Sequence, residues 1–570
     1  MKSANKRFTI IASFLILSII SCSNNRGGSS YEGIGDADMK KPKESSLVYT
    51  DYSQESRPNH LFDGSKWYKN DLNKVNMADP FIYEEDGVFY IYGTTDRVGS
   101  RGFDCWETTD FSTYKNHMNI YQKAAGHWAG TAGGMFAPEL LHYGDKYYLY
   151  YSDQNDDFKD GNRRISVAVA DNPIGPFSAY KGKNAYGQNV DGDEDAIFAW
   201  LTTDVGYSVL DQNVFVDEDG ELYMYYSVYH TGVMQYIVGM KMLDPVTLDT
   251  STKKVLIEPG VEKPGLIPGI GKDYLWERFQ GFRVAEGPEM IKSPNGKYYL
   301  TYSVNHYPDR YYTVCYAYSD DPLGDFIKPY KAGQQWTNIL FGYGGGLKST
   351  KVYDQWEGFQ SGTAHHCFFR AGDQWMIGYH AHINRKDSSN GRAVGIDKLF
   401  FDDKGEPYVH GPSYSLQPHP EYISGYSNIA LTSKIYTKNI SHPERLNDNY
   451  IVEHYNLDAE KNKEASLSKG KSYIKFNFGK KMAVGGIAIY NSATYQDMTE
   501  SFSYINFGKG NCILDGVFPY FLSDVEKEFV FPCSAFAYDF ADIETDYVVI
   551  GFDSAHATKL NEIAILGREI

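Results

Sequence analysis

The chain is 570 residues long, more than one hydrophobic core usually organises, so at least two domains are expected. Its 55 basic and 73 acidic residues leave a formal net charge of −18, which argues against a protein that works by neutralising nucleic-acid phosphates. The 49 Tyr, 32 Phe and 54 Gly, arranged in short aromatic runs broken by Gly and Asp, point to an all-β fold.

The first element is a leader over residues 1–21. Lys2, Lys6 and Arg7 precede an apolar stretch from Phe8 to Ile20, too short to span a bilayer and followed by Ile19-Ile20-Ser21-Cys22. That run resembles a bacterial lipobox, which implies cleavage before Cys22 and lipidation of that cysteine. The protein is then a secreted lipoprotein, periplasmic or on the cell surface, touching the membrane only through its anchor. Residues 22–60, rich in Ser, Asn and Gly at their start, read as a flexible tether. Of the five later cysteines, Cys512 and Cys533 are close enough in sequence to pair, and no zinc-type CxxC spacing occurs.

Residues 61–415 carry a five-fold repeat of a tight turn followed by an aromatic strand. Its instances start at Asp86-Gly87, Gly144-Asp145, Asp219-Gly220, Asn295-Gly296 and Gly372-Asp373, with strands beginning near residues 88, 146, 221, 297 and 374. Five such hairpins predict a five-bladed β-propeller. Upstream of each turn stands a polar residue: Asp79, Glu139, Asp211, Glu286 and His365. If these occupy equivalent places on the innermost strands, four carboxylates and a histidine converge on the axis. Like charges repel when buried together, so such a cluster points to a functional site. Residues 425–570 change pattern, with alternating strands at Ser472–Gly479, Gly485–Tyr490, Tyr547–Phe552 and Leu560–Gly567, and resemble a discoidin-type, galactose-binding-like β-sandwich.

The propeller motifs carry a closer resemblance. Asn76-Met-Ala-Asp79-Pro-Phe, Phe136-Ala-Pro-Glu139-Leu, Leu210-Asp211-Gln-Asn-Val-Phe, Ala285-Glu286-Gly-Pro-Glu and Gly362-Thr-Ala-His365-His-Cys are similar to the blade motifs of glycoside hydrolase family 43, in order, over about residues 70–410. The resemblance implies hydrolysis with inversion: Asp79 as general base, Glu286 as general acid, and Asp211 orienting the acid and raising its pKa. Such chemistry needs one ionised and one protonated carboxyl, ~6.5–9.5 Å apart. It further implies Glu139, His365 and Arg392 as sugar contacts, no required cofactor, and a structural calcium ion near His365, reached through water. The family commonly has Asp at the place of Glu139, and a glycine at that of Ala364. Trp128 and Phe136 are candidates for stacking on a sugar, with packing as the other reading. His365, His366, His380 and His382 read as pocket or core residues rather than a zinc site, since no HExxH spacing accompanies them. The expected partner is an oligo- or polysaccharide of plant type, and the expected activity an exo-acting α-L-arabinofuranosidase or β-xylosidase. A β-galactofuranosidase, β-galactosidase or endo-arabinanase of the same family is the alternative, and a non-catalytic carbohydrate-binding lipoprotein the other.

Overall fold

The computed structural model describes residues 49–51 and 65–570, apart from 71–73, 96–101, 131–133, 156–162, 203–205, 280, 282, 331, 333–336, 343–360, 383–390, 414, 452–463, 493–496 and 518–534. The leader, Cys22 and Cys533, and with them the pairing of Cys512 with Cys533, lie outside the described residues. Cys105, Cys315 and Cys367 are buried free thiols.

Five antiparallel sheets follow one another along the chain. The first consists of Ala78–Glu85, Val88–Thr94, Gly102–Thr108 and Lys115–Gln122. The innermost strands of the other four are Phe136–Tyr143, Tyr207–Val216, Ala285–Lys292 and Ala364–Ala371. Each innermost strand lies beside that of the next sheet, and the fifth returns to the first, so the sheets close a ring of five blades. The second strands begin at Val88, Lys146, Leu222, Tyr298 and Gln374, where the turn repeats place them.

Burial on both faces accounts for the aromatic runs. In blade one, Phe89 and Ile91 face a core shared with Phe369, Met376 and Val394 of blade five. Tyr92 points the other way, into a core with Leu140, Tyr147 and Leu149 of blade two. A strand sandwiched between two neighbours has no solvent face, so both alternating sets of side chains are apolar or aromatic. The ring is fastened separately. Trp67–Tyr68 pairs with Gln417–Pro418, and Asn70 accepts from Ile396 N–H while donating to the Ile396 and Ser413 carbonyls.

The C-terminal region forms a ten-stranded sheet system organised by two long strands, Gly470–Asn491 and Ala535–Ser554. The segments predicted as separate strands at Ser472–Gly479 and Gly485–Tyr490 are two halves of one bent strand. Its register breaks between Asn477 and Met482, and Gly479 there takes the left-handed conformation with φ 72°. Both halves line one core, with Ile474 and Phe476 from the first and Ile487 and Ile489 from the second. Tyr49–Asp51, within the expected tether, is a strand paired with Tyr538–Phe540. Trp67 is fully buried against Ala488, Ala537 and Leu566, and Lys66 donates to Asp539 and to the Gly485 and Phe540 carbonyls, which joins the propeller to this region.

Candidate active site

All five innermost strands break register at the same place, between Ala78 and Phe81, Phe136 and Glu139, Leu210 and Asn213, Glu286 and Glu289, and Ala364 and Cys367. Within each bulge one residue has a positive φ: Asp79 (49°), Ala137 (47°), Asp211 (53°), Gly287 (52°) and His365 (47°). Left-handed backbone at a non-glycine residue costs energy and is characteristic of functional sites, as are bulges. The freed N–H groups need partners. Asp79 N–H donates to His380 Nδ1 (3.1 Å), Ala137 N–H to Thr94 Oγ1 (2.8 Å), Asp211 N–H to Ser152 Oγ (2.9 Å) and His365 N–H to Ser303 Oγ (2.8 Å). Each bond crosses from one blade's bulge to the second strand of the preceding blade. The fourth blade departs from this ring: Gly287 N–H donates to the Asp211 carboxylate at 3.3 Å, and the buried Ser227 Oγ has no partner among the described residues. A Cβ at Gly287 would lie 3.2 Å from the His365 ring, close enough to press on it, at a backbone conformation that disfavours side chains.

This register corrects the expected equivalence of the five polar residues. Asp79, Asp211 and His365 share one position, Glu286 precedes it by one residue, and Glu139 follows it by two. Glu139 therefore sits one tier further along the axis, with Asn213 and Glu289. Asn213 donates to Glu289 at 3.0 Å and Val214 N–H to Glu139 at 3.1 Å. Burial pushes the Glu139 carboxyl up to about 8; burial and the neighbouring Glu139 push Glu289 well above the carboxylate range, so Glu289 holds a proton against its neighbour. Between the tiers lies a cavity of about 10 Å³, near the lower limit for a single water.

Asp79 and Glu286 have opposite environments. Burial works against ionisation of Asp79, yet His365 and Arg392 hold its carboxyl well below the usual range. His365, with Nδ1 3.2 Å from Asp79 Oδ1, is itself pushed down by burial, so the permanent cation is Arg392, whose Nη1 donates at 3.2 Å. Thr94 donates to the other oxygen at 2.6 Å. His380 accepts the Asp79 N–H on Nδ1, which leaves its own proton on Nε2. Glu286 is pushed up to about 7, by burial first and by the charge of Asp79, against the Tyr312 hydroxyl donating at 2.7 Å and Gln235 donating at 3.0 Å. Burial and both neighbouring carboxyls raise Asp211 well above its ordinary value. For Glu286 burial is the first cause of the upward shift, ahead of the charges around it, and its repulsion with Asp211 raises the pair together. Asp211 bears on the acid through the Gly287 N–H it accepts.

The remaining candidates are placed as follows. Arg392 is engaged with Asp79 and stacks 5.1 Å from the Tyr307 ring. Phe136 occupies on blade two the place that Glu286 has on blade four. Trp128 packs beside His127 and under the Arg164 guanidinium. His366 bonds to Thr301 Oγ1 at 2.6 Å and His382 to the Tyr307 carbonyl at 2.9 Å. Among the described residues, no three His, Cys, Asp or Glu side chains are grouped to hold a metal ion directly, and His365 Nδ1 lies 3.2 Å from Asp79 Oδ1. Thr94, Gln235, Tyr312 and Glu289 escape a reading of the sequence. The first three lie outside the innermost strands, and only the Glu-Gly-Pro-Glu run hinted at the fourth.

Fold and site together define a five-bladed propeller with one carboxyl held low and one raised toward neutrality on its axis, a class of site suited to acid–base hydrolysis. Residues 68–407 match the model of Glycosyl hydrolases family 43, more than half of the chain, and the chain belongs to that family. It is 28% identical over 265 residues to an extracellular endo-α-(1→5)-L-arabinanase of Thermotoga petrophila, covering 44% of this chain and 51% of that one. With a xylosidase/arabinosidase of Bacteroides ovatus it shares 24% identity over 359 residues, 58% of this chain and 93% of the relative. A crystal structure of a thermostable family-43 glycoside hydrolase aligns with a TM-score of 0.47 and 27% identity, over 62% of this chain and 99% of that one. The match spans about half the length of several curated relatives.

Proposed function

We propose that the protein is an inverting glycoside hydrolase of plant-type glycans, acting from the chain end as an α-L-arabinofuranosidase or β-xylosidase. The observation that carries this reading is the split between two neighbouring carboxyls: Asp79 held ionised by Arg392 and Thr94, and Glu286 held protonated to about pH 7. Asp79 takes the proton of the attacking water; Glu286 delivers its proton to the leaving glycosidic oxygen. Asp211 fixes the backbone beside the acid, and Tyr312 and Gln235 fix its rotamer. Phe136, His365 and Arg392 line the sugar end of the site, with Glu139 supporting them from the tier beneath. The relatives named as arabinanase and xylosidase/arabinosidase support a pentose-containing substrate. The leader and Cys22 support export and lipid anchoring, and the C-terminal sheets, read as a galactose-binding-like sandwich, buttress the propeller or hold glycan.

The test is release of aglycone from aryl α-L-arabinofuranoside, β-D-xyloside, β-D-galactofuranoside and β-D-galactoside. Cleavage of at least one by the parent is expected. Glu286→Gln should lose ~10²–10⁴-fold on poor leaving groups and less on good ones, whereas Asp79→Asn should lose activity on both. Full rates in both variants would end the assignment.

A further inference from the structure

A second cavity lies away from the propeller axis. It has a volume of about 570 Å³ and opens between blade five and the C-terminal sheets. Such a volume is that of a small-ligand site. Lys398 and Phe400, on the third strand of blade five, form one wall, and Tyr426, Tyr490 and Glu562 form the opposite one.

Two of these groups are incompletely partnered. Lys398 Nζ reaches only the His419 carbonyl, at a long 3.4 Å, and no carboxylate approaches it among the described residues. Glu562 is 1% exposed; its Oε2 accepts Asn449 N–H at 3.2 Å, Asp448 N–H also approaches the carboxyl, and Oε1 makes no hydrogen bond among the described residues. Both pay for desolvation. Burial pushes the Lys398 amine down to about 7, and Glu562 well above the carboxylate range, so Glu562 Oε1 is part of a neutral carboxyl able to donate or accept. The other titratable groups on the walls do not neutralise Lys398. His410 is held to the Asn449 carbonyl at 2.8 Å, His419 stacks on Tyr68, and Glu421 and Asp373 are exposed at the rim.

We propose that this cavity binds a sugar acid: the ligand carboxylate pairs with Lys398, a hydroxyl bonds to Glu562 Oε1, and the sugar face packs on Phe400. A buried amine with no carboxylate partner suits an anion, whose charge would favour its protonated form, and aromatic faces beside polar groups suit a ring with apolar C–H faces and hydroxyl edges. The choice of a saccharide rests on the glycosidase reading; the cavity and its unpaired groups do not.

The test is isothermal titration of the full chain with D-glucuronate and D-galacturonate against D-glucose and D-galactose. Saturable binding of a uronate is expected, with the neutral sugars at least ~10-fold weaker, the scale of a lost charge-assisted hydrogen bond. Lys398→Met should weaken uronate binding by ~10–100-fold, and Lys398→Arg should retain most of it. Because Lys398→Met removes a buried charge, its thermal midpoint should not fall, and aryl glycoside hydrolysis should be unchanged. Equal binding of neutral sugars, uronate binding unaffected in a folded Lys398→Met, or no uronate binding at all would overturn the proposal. Uronate binding in a chain that cleaves no glycoside would leave the cavity assignment standing and remove the glycosidase reading.

Discussion

Replacing Tyr312 with Phe removes one hydroxyl and keeps the ring stacked on His380, at a centroid distance of 5.6 Å. That hydroxyl donates to Glu286 Oε1 at 2.7 Å and stabilises the ionised carboxylate more than the acid. A hydrogen bond to a charged group is worth about 1.5–3 kcal/mol, and part of it is kept by the neutral acid. With about 1.4 kcal/mol for each pH unit, the loss moves the pKa of Glu286 up by roughly one unit, from about 7. The group must be protonated to act, so activity falls as pH rises through its pKa, and the alkaline limb of kcat/KM should shift upward by that amount. The acidic limb belongs to Asp79 and should stay in place, because Thr94 and Arg392 still hold it. Profiles of kcat/KM from pH 4 to 10 on one aryl glycoside, for parent and Tyr312→Phe, measure the alkaline limb and check that no acidic limb enters the window, since Asp79 titrates below it. An alkaline limb that stays put or moves down would refute the assignment of the acid to Glu286.

Three further outcomes follow from the same structure. Arg392→Met removes the fixed cation beside Asp79, so the acidic limb should move toward neutral pH and the optimum narrow. Glu289→Ala leaves Asn213 Nδ2 without its 3.0 Å partner and opens space in the lower tier, which should cost about 1–3 kcal/mol in denaturant unfolding, whereas Glu289→Gln should cost less. Asp397, bonded to Tyr379 and Ser413 N–H, is pushed up to about 7 by burial. Its folded state therefore binds a proton that the unfolded state releases near pH 4, and its contribution is lost as pH rises toward 7. In Asp397→Asn the melting temperature relative to the parent should accordingly increase from pH 4 to 7, and a constant or falling difference would contradict the assignment.

The sequence made the blades legible because tight turns and doubly buried strands leave strong local marks. Asp86-Gly87 takes the two positive φ values a short hairpin demands, 52° and 79°, and Phe89 to Tyr92 are aromatic or apolar on both faces. Counting residues back from each turn found the axial strands but not the bulges, which add residues without changing the pattern of the strand. For that reason Glu139 reads as an equal of Asp79 when it lies a tier away. Thr94, Ser152 and Ser303 are ordinary strand residues by sequence. Their role comes from facing a bulge on the next blade, a contact that only the closed ring creates. The strand at Tyr49–Asp51 was hidden for a related reason: it pairs with residues nearly 500 positions away, and its own composition is unremarkable for a linker.

The central claim is a direct displacement by water activated at Asp79 while Glu286 protonates the leaving group. Time-resolved proton NMR of the first sugar released from whichever aryl glycoside is cleaved tests it most directly. The account predicts the anomer opposite to that of the substrate before mutarotation sets in; a first product with the substrate's own configuration would mean a covalent intermediate and contradict it.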